Sequence, residues 1–147
     1  MNIDLVKYSG RWYEILRIQN SFERGMEDVF AEYDLMSDGK LKVVNSGYRD
    51  GKFKSITGKA HSVDKLNTKL KVSFRWPFTG DYWVLDLDKD YSWSMVGSPC
   101  RKYLWILSRK PYLSQQVILN LERRALLLGF DTKKLTVTPQ SRNINKV

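Results

Sequence analysis

Lys69-Leu70-Lys71-Val72-Ser73-Phe74-Arg75 alternates with a strict period of two. Successive side chains of a strand point to opposite faces, so Leu70, Val72 and Phe74 share one face and the lysines, Ser73 and Arg75 the other. Val29-Phe30-Ala31-Glu32-Tyr33-Asp34-Leu35 repeats the pattern, with Val29, Ala31, Tyr33 and Leu35 opposite Glu32 and Asp34. Turn signals recur at short spacing around these segments: Ser37-Asp38-Gly39-Lys40, Arg49-Asp50-Gly51-Lys52, 64–67, 77–80, 88–90 and 97–99. Asp-Gly pairs tolerate the positive φ angles that tight hairpins need. The segments between, rich in Val, Ile, Tyr, Phe and Trp, read as eight strands at about 11–19, 28–36, 41–48, 53–63, 69–76, 81–88, 91–97 and 102–109.

Short connections pair each strand antiparallel with the one before it. Eight such strands with one apolar face leave two open edges unless the sheet closes on itself. The fold predicted is therefore all-β: an eight-stranded antiparallel up-and-down barrel over about 11–109. After Pro111 the period changes. Ser114 is placed to cap a helix over about 114–128, with Val117, Leu121, Ala125 and Leu128 as its apolar stripe and Gly129 as its stop. This C-terminal α-helix is expected to pack outside the barrel. A short extended piece at 135–138 follows, and the polar tail from Gln140 is expected to fray. The 147 residues make one domain.

The net charge of +9 is unevenly spread. Residues 101–147 hold 10 of the 25 bases and 2 of the 16 acids, a balance of +8 against +1 for residues 1–100. A basic surface favours anionic partners. The lone Cys100 excludes an intramolecular disulfide. The first ten residues lack the basic and apolar regions of a secretion signal. Two locations stay open: the cell envelope or periplasm if a leader has been removed, otherwise the cytoplasm or a membrane periphery.

Catalytic motifs are missing. The single histidine, His61, lies inside an expected strand, and there is no Gly-x-Ser-x-Gly, phosphate-binding glycine loop or histidine pair. Cys100 beside Arg101 and Lys102 reads as an incidental loop thiol. The expectation is a non-enzyme without metal or cofactor.

Gly10-Arg11-Trp12-Tyr13-Glu14 opens the first strand, and Tyr103-Leu104-Trp105-Ile106-Leu107-Ser108-Arg109 forms the last. First and last strands are neighbours in a closed barrel, so Trp12 can plug the base with Arg109 across its indole face. Gly10 permits the tight entry of the chain into the barrel. Here the sequence resembles the lipocalin family across roughly Tyr8 to Ser141. Ser9 to Ile15 is similar to the family's first signature and Tyr103 to Arg109 to its third, while Asp90 to Ser94 occupies the place of the second. Residues 21–25 resemble the first long loop of bacterial lipocalins. Residues 79–85, 101–107 and 138–141 resemble plant temperature-induced lipocalins and apolipoprotein D. The resemblance implies a barrel that holds fatty acids, lysophospholipids or similar lipophiles, with roles in membrane upkeep under stress. The disulfides of apolipoprotein D cannot form here, and the lipid-attachment cysteine of the bacterial proteins has no counterpart.

Counting parity from Arg109 turns Leu107, Trp105 and Tyr103 inward, and the apolar faces turn Tyr33, Phe74 and Tyr82 inward. Tyr33, Phe74, Tyr82 and Trp105 also match cavity positions of the apolipoprotein D-like relatives. The alternative is that they simply fill a packed barrel. The parity of 91–97 stays open. If the first strand runs upward from the base, loops 20–27, 49–52, 77–80 and 97–101 surround the mouth. That rim displays Phe22, Trp76 and Phe78 beside Arg24, Arg49, Lys52, Arg101 and Lys102, a composition suited to transient docking on an anionic membrane. A monomer or weak homodimer is expected. Two other readings are weighed. Aromatic content of 13% with a basic charge fits a single-stranded nucleic-acid binder, but the charge gathers away from the central strands, so no nucleic acid is expected. A lipid-modifying enzyme would need an inward acid–base pair, and Glu14 beside Arg109 reads instead as a structural pair.

Overall fold

The computed structural model describes residues 1–21, 23–75 and 78–145, without the side chains of Arg75 and Phe78. A single-turn helix α1 (Leu5–Tyr8) precedes eight strands: β1 (Gly10–Ile18), β2 (Glu27–Leu35), β3 (Leu41–Arg49), β4 (Lys52–Ser62), β5 (Lys69–Arg75), β6 (Phe78–Leu87), β7 (Trp93–Gly97) and β8 (Leu104–Ser108). Each pairs antiparallel with its predecessor, and β1 pairs with both β2 and β8, which closes the barrel. Helix α2 (Gln115–Leu127), strand β9 (Leu135–Val137) and the short helix α3 (Ser141–Ile144) complete the chain.

Two hydrophobic clusters divide the molecule. One fills the barrel, around Trp12, Tyr33, Leu41, Leu70, Val84 and Leu107. The other lies between the outer wall and α2, where Leu121 and Ala125 pack against Ile15, Met95, Leu104 and Ile106. Ser114 caps α2 by accepting from the Val117 N–H, and Gly129, at φ +93°, ends it. The expected outer helix and its stripe are found. The open parity of β7 resolves with Ser94 buried at Tyr8 and Val96 in the inner cluster, while Met95 faces α2.

Several local expectations are corrected. Residues 78–80 are already paired with β5, through Arg75↔Phe78 and Val72↔Gly80 across a register shift, so the turn expected over 77–80 is displaced. The strands expected over 91–97 and 102–109 start two residues late. Tyr91 and Arg101 adopt positive φ, and the Arg101 N–H bonds to the Ser98 carbonyl, prolonging the turn. Leu35, expected on the inner face, is exposed at the end of β2.

The tail does not fray at Gln140. Its side-chain amide donates to the carbonyls of Glu14 and Val29 (both 2.8 Å), and Arg142 bonds the buried Asp28 carboxylate at 2.6 Å. Strand β9 pairs with the upper part of β1, and Thr138 N–H reaches the Ile15 carbonyl while Asp28 N–H reaches that of Pro139. Residues 135–143 thus fill the gap where β2 parts from β1. Unpaired strand edges need partners.

Candidate functional site

The barrel base is sealed by residues the sequence brought forward. The Arg109 guanidinium lies 3.8 Å from the centroid of the Trp12 ring. Its Nε donates to the Tyr91 carbonyl (3.1 Å), and its two terminal nitrogens donate to those of Arg11 (3.0 Å) and Lys7 (2.7 Å). One fork therefore joins β1, the end of α1 and the β6–β7 turn. Gly10 is required twice over: its φ is +100°, and a Cβ there would come within 3.2 Å of the Arg109 guanidinium. Trp12 is fully buried and donates to the Tyr8 carbonyl at 2.8 Å. Outside this plug lies an open depression of about 500 Å³, lined by Lys7, Lys89, Asp90, Tyr91, Ser92 and Arg109. It is a polar shelf on the far side of the seal from the barrel interior.

Inside, Tyr33 and Tyr82 meet, their rings 5.9 Å apart. The Tyr33 hydroxyl donates to that of Tyr82 (3.0 Å), which also bonds the Tyr8 hydroxyl (2.7 Å), and Tyr8 reaches Ser94 Oγ (2.9 Å). Burial pushes the Tyr8 phenol up to about 12 and those of Tyr33 and Tyr82 upward as well, so all three stay neutral donors and acceptors. Phe74 and Trp105 border the same inner cluster. The Phe74 ring lies so close over β4 that a Cβ at Gly58 would come within 2.6 Å of it. Trp105 stacks on Tyr103 at 5.9 Å and sits at the mouth end of β8.

Sequence parity missed a third group. β1 is bulged between Glu14 and Leu16, so Ile15 and Leu16 both pack outward while Glu14 and Arg17 both turn inward. Arg17 donates to Glu14 Oε2 (2.8 Å), Gln19 Oε1 (2.9 Å) and the Met26 carbonyl (3.0 Å). The partner expected for Glu14 was Arg109. Arg109 is occupied by backbone carbonyls at the base, and the bulge supplies Arg17 instead. Thr138 Oγ1 adds a bond to Glu14 at 2.6 Å. From the β1–β2 loop, Glu23 folds into the mouth and accepts from Trp105 Nε1 (2.7 Å) and Asn20 Nδ2 (3.1 Å), with Arg17 3.6 Å from its other oxygen. Burial, then the adjacent Glu23 carboxylate, raises Glu14 well above the usual carboxylate range. A protonated Glu14 supplies the donor that Glu23 Oε2 otherwise lacks.

At the rim, Arg101 and Lys102 are exposed, as expected, and Arg49 Nε reaches the Arg24 carbonyl. Phe22, Trp76 and the Phe78 side chain lie outside the described residues. The exposed Cys100 thiol accepts or donates a bond to Ser98 Oγ at 3.1 Å, which lowers its pKa. Among the described residues, no group of three or more His, Cys, Asp or Glu could hold a metal, and no helix is long and apolar enough to cross a membrane.

A closed eight-stranded up-and-down barrel, plugged by tryptophan and arginine at one end and flanked by one helix, defines the lipocalin class. The chain belongs to the lipocalin family: the family model for the lipocalin-like domain matches residues 3–140, and members of this family bind small hydrophobic ligands. It is 44% identical over 136 residues to outer membrane lipoprotein Blc of Escherichia coli K12, covering 90% of this chain and 77% of that protein. It is 39% identical over 149 residues to temperature-induced lipocalin-1 of Arabidopsis thaliana, covering 95% and 78%. Apolipoprotein D of Macaca fascicularis is 38% identical over 148 residues, covering 95% and 78%. Among solved structures, insecticyanin from the tobacco hornworm Manduca sexta superposes with a TM-score of 0.76 at 19% identity, over 93% of this chain and 80% of that one.

Proposed function

We propose that the barrel binds, stores or carries a single-chain lipophile such as a fatty acid or lysophospholipid, in membrane maintenance or stress response. The observation that carries this reading is the inner lining. Apolar and aromatic side chains face a barrel sealed at one end by Trp12 and Arg109, with Phe74 and Trp105 toward the other. In this reading Tyr33, Phe74, Tyr82 and Trp105 touch the ligand, and burial of its chain supplies most of the affinity. Names among the relatives, an outer membrane lipoprotein and a temperature-induced lipocalin, support the setting.

Binding without turnover suits the interior, because the inward acid and base, Glu14 and Arg17, are committed to each other. The rim with Arg101 and Lys102 would touch an anionic membrane transiently during transfer. Native extraction with mass spectrometry of bound small molecules tests the cargo, followed by titration with fatty acids of increasing length. Each buried CH₂ contributes about 0.8 kcal/mol, so affinity should rise about fourfold per carbon until the slot is filled. Affinity indifferent to chain length would overturn the apolar slot.

A further inference from the structure

The last turn of α2 exposes two adjacent leucines, Leu126 at 60% and Leu127 at 79% of their surface. The apolar stripe that holds the helix to the barrel runs through Val117, Leu121, Ala125 and Leu128, and neither Leu126 nor Leu127 belongs to it. Arg123 lies one turn before Leu127 on the same helix face, with Arg124 next to it; both are exposed. Lys133 and Lys134 follow in a 3-10 turn, Thr132–Lys134, that contacts α2. None of these four cations forms an ion pair among the described residues. The two acids of residues 101–147 are Glu122 and Asp131, and Asp131 is turned back to cap Lys133 N–H.

The position of this patch is fixed relative to the mouth. Helix α2 begins near the base, where Ser108 Oγ donates to the Tyr112 carbonyl. It ends at the rim, where Arg101 Nε donates to the Leu128 carbonyl at 2.8 Å and Gly129 packs against the same guanidinium. The β7–β8 rim loop and the helix end are therefore one surface, and Arg101 and Lys102 extend its positive charge to the mouth.

We infer that the C-terminal end of α2 is a docking surface for an anionic lipid bilayer. Exposed aliphatic side chains flanked by cations match the chemistry of a membrane interface: leucines enter the acyl boundary while arginine and lysine meet the headgroups. A nucleic acid would reward the cations but leave the leucines in water. Docking in this pose holds the rim loop, and with it the barrel mouth, at the bilayer. The inference deepens the rim contact proposed above and rests on that reading for its purpose, while adding a surface the rim residues do not include.

The test is co-sedimentation of the full chain with vesicles of phosphatidylglycerol and phosphatidylcholine, against vesicles of phosphatidylcholine alone. Binding should require the anionic lipid and weaken with salt. Arg123→Glu with Arg124→Glu should lower it at least about 30-fold, since each cation near the surface is worth about a factor of five. Leu126→Gln with Leu127→Gln should lower it about tenfold or more. Both pairs are exposed, and fatty-acid binding should stay at the wild-type level in each. Wild-type vesicle binding in both pairs, with loss only in Arg101→Glu/Lys102→Glu, overturns the helix-end surface and leaves the rim contact standing. Equal binding to neutral vesicles, or none at low salt, overturns it too. So does a concentration-dependent dimer abolished by the leucine pair, which would make a second copy the occupant. Loss of fatty-acid binding in wild type would instead strike the barrel reading.

Discussion

The two ends of the barrel are built on different chemistry. At the base, a guanidinium donates to three backbone carbonyls across an indole face, and every partner keeps its charge state at ordinary pH. Near the mouth, titratable side chains bond to one another: two carboxylates, Glu14 and Glu23, share one guanidinium, Arg17. A seal built on carbonyls is strong and fixed. A wall built on a crowded carboxylate pair depends on a proton. The Trp12–Arg109 plug is thus insensitive to pH, and the wall beside the mouth is not.

The base should therefore give the largest losses when broken. Trp12→Ala should cost about 3–5 kcal/mol in chemical denaturation, because it empties a fully buried indole site and leaves Arg109 over a void. A loss within measurement error would show that the plug is not part of the core. Arg109→Lys keeps the charge but loses the planar fork, and a single ammonium cannot reach three carbonyls in that geometry. About 1.5–3 kcal/mol should be lost. An unchanged midpoint would assign the seal to Trp12 alone. Midway up the barrel, Tyr82→Phe removes the hydroxyl shared by Tyr8 and Tyr33, for an expected loss of about 1 kcal/mol.

The same contrast explains what could be read from the chain. Trp12, Arg109 and Gly10 were legible because their positions in the first and last strands follow from barrel closure. Tyr33, Phe74 and Tyr82 followed from period two. Arg17 was not legible, since a β-bulge resets parity by one residue and no residue type marks it in Glu14-Ile15-Leu16-Arg17. Glu23 sits in a loop, where periodicity says nothing about which side chain folds inward. Tyr8 was hidden by its single-turn helix, too short for a helical repeat, although it precedes Trp12 by four residues. The tail from Gln140 looked free because its partners are polar: Gln140, Arg142 and Asn143 are held by carbonyls and by Asp28, more than 100 residues away in sequence.

The smallest effect expected is the one that separates the two ends most sharply, and it is a matter of sign. Glu14 holds its proton well above the usual carboxylate range in the folded chain, chiefly because it is buried. Below that range the group is protonated whether folded or unfolded, and its contribution to stability is fully present. As pH rises, the unfolded chain releases the proton first, so the contribution falls until pH passes the folded value. In the β4–β5 and β6–β7 turns, outside the plug, the sign is opposite. Asp64, bonded by Thr68, and Asp88, bonded by Ser92, are held below the usual range by those hydrogen bonds, so their contribution is lost as pH falls. Glu14→Gln is nearly isosteric: its amide oxygen can accept from Arg17 and Thr138 while its amide N–H donates to Glu23, as the protonated acid does. Denaturant unfolding at several pH values between 4.5 and 7.5 should therefore show a less negative slope of stability against pH in Glu14→Gln than in wild type. Equal slopes would mean that Glu14 is ionised beside Arg17 when folded, and that the wall beside the mouth is as fixed as the Trp12–Arg109 plug.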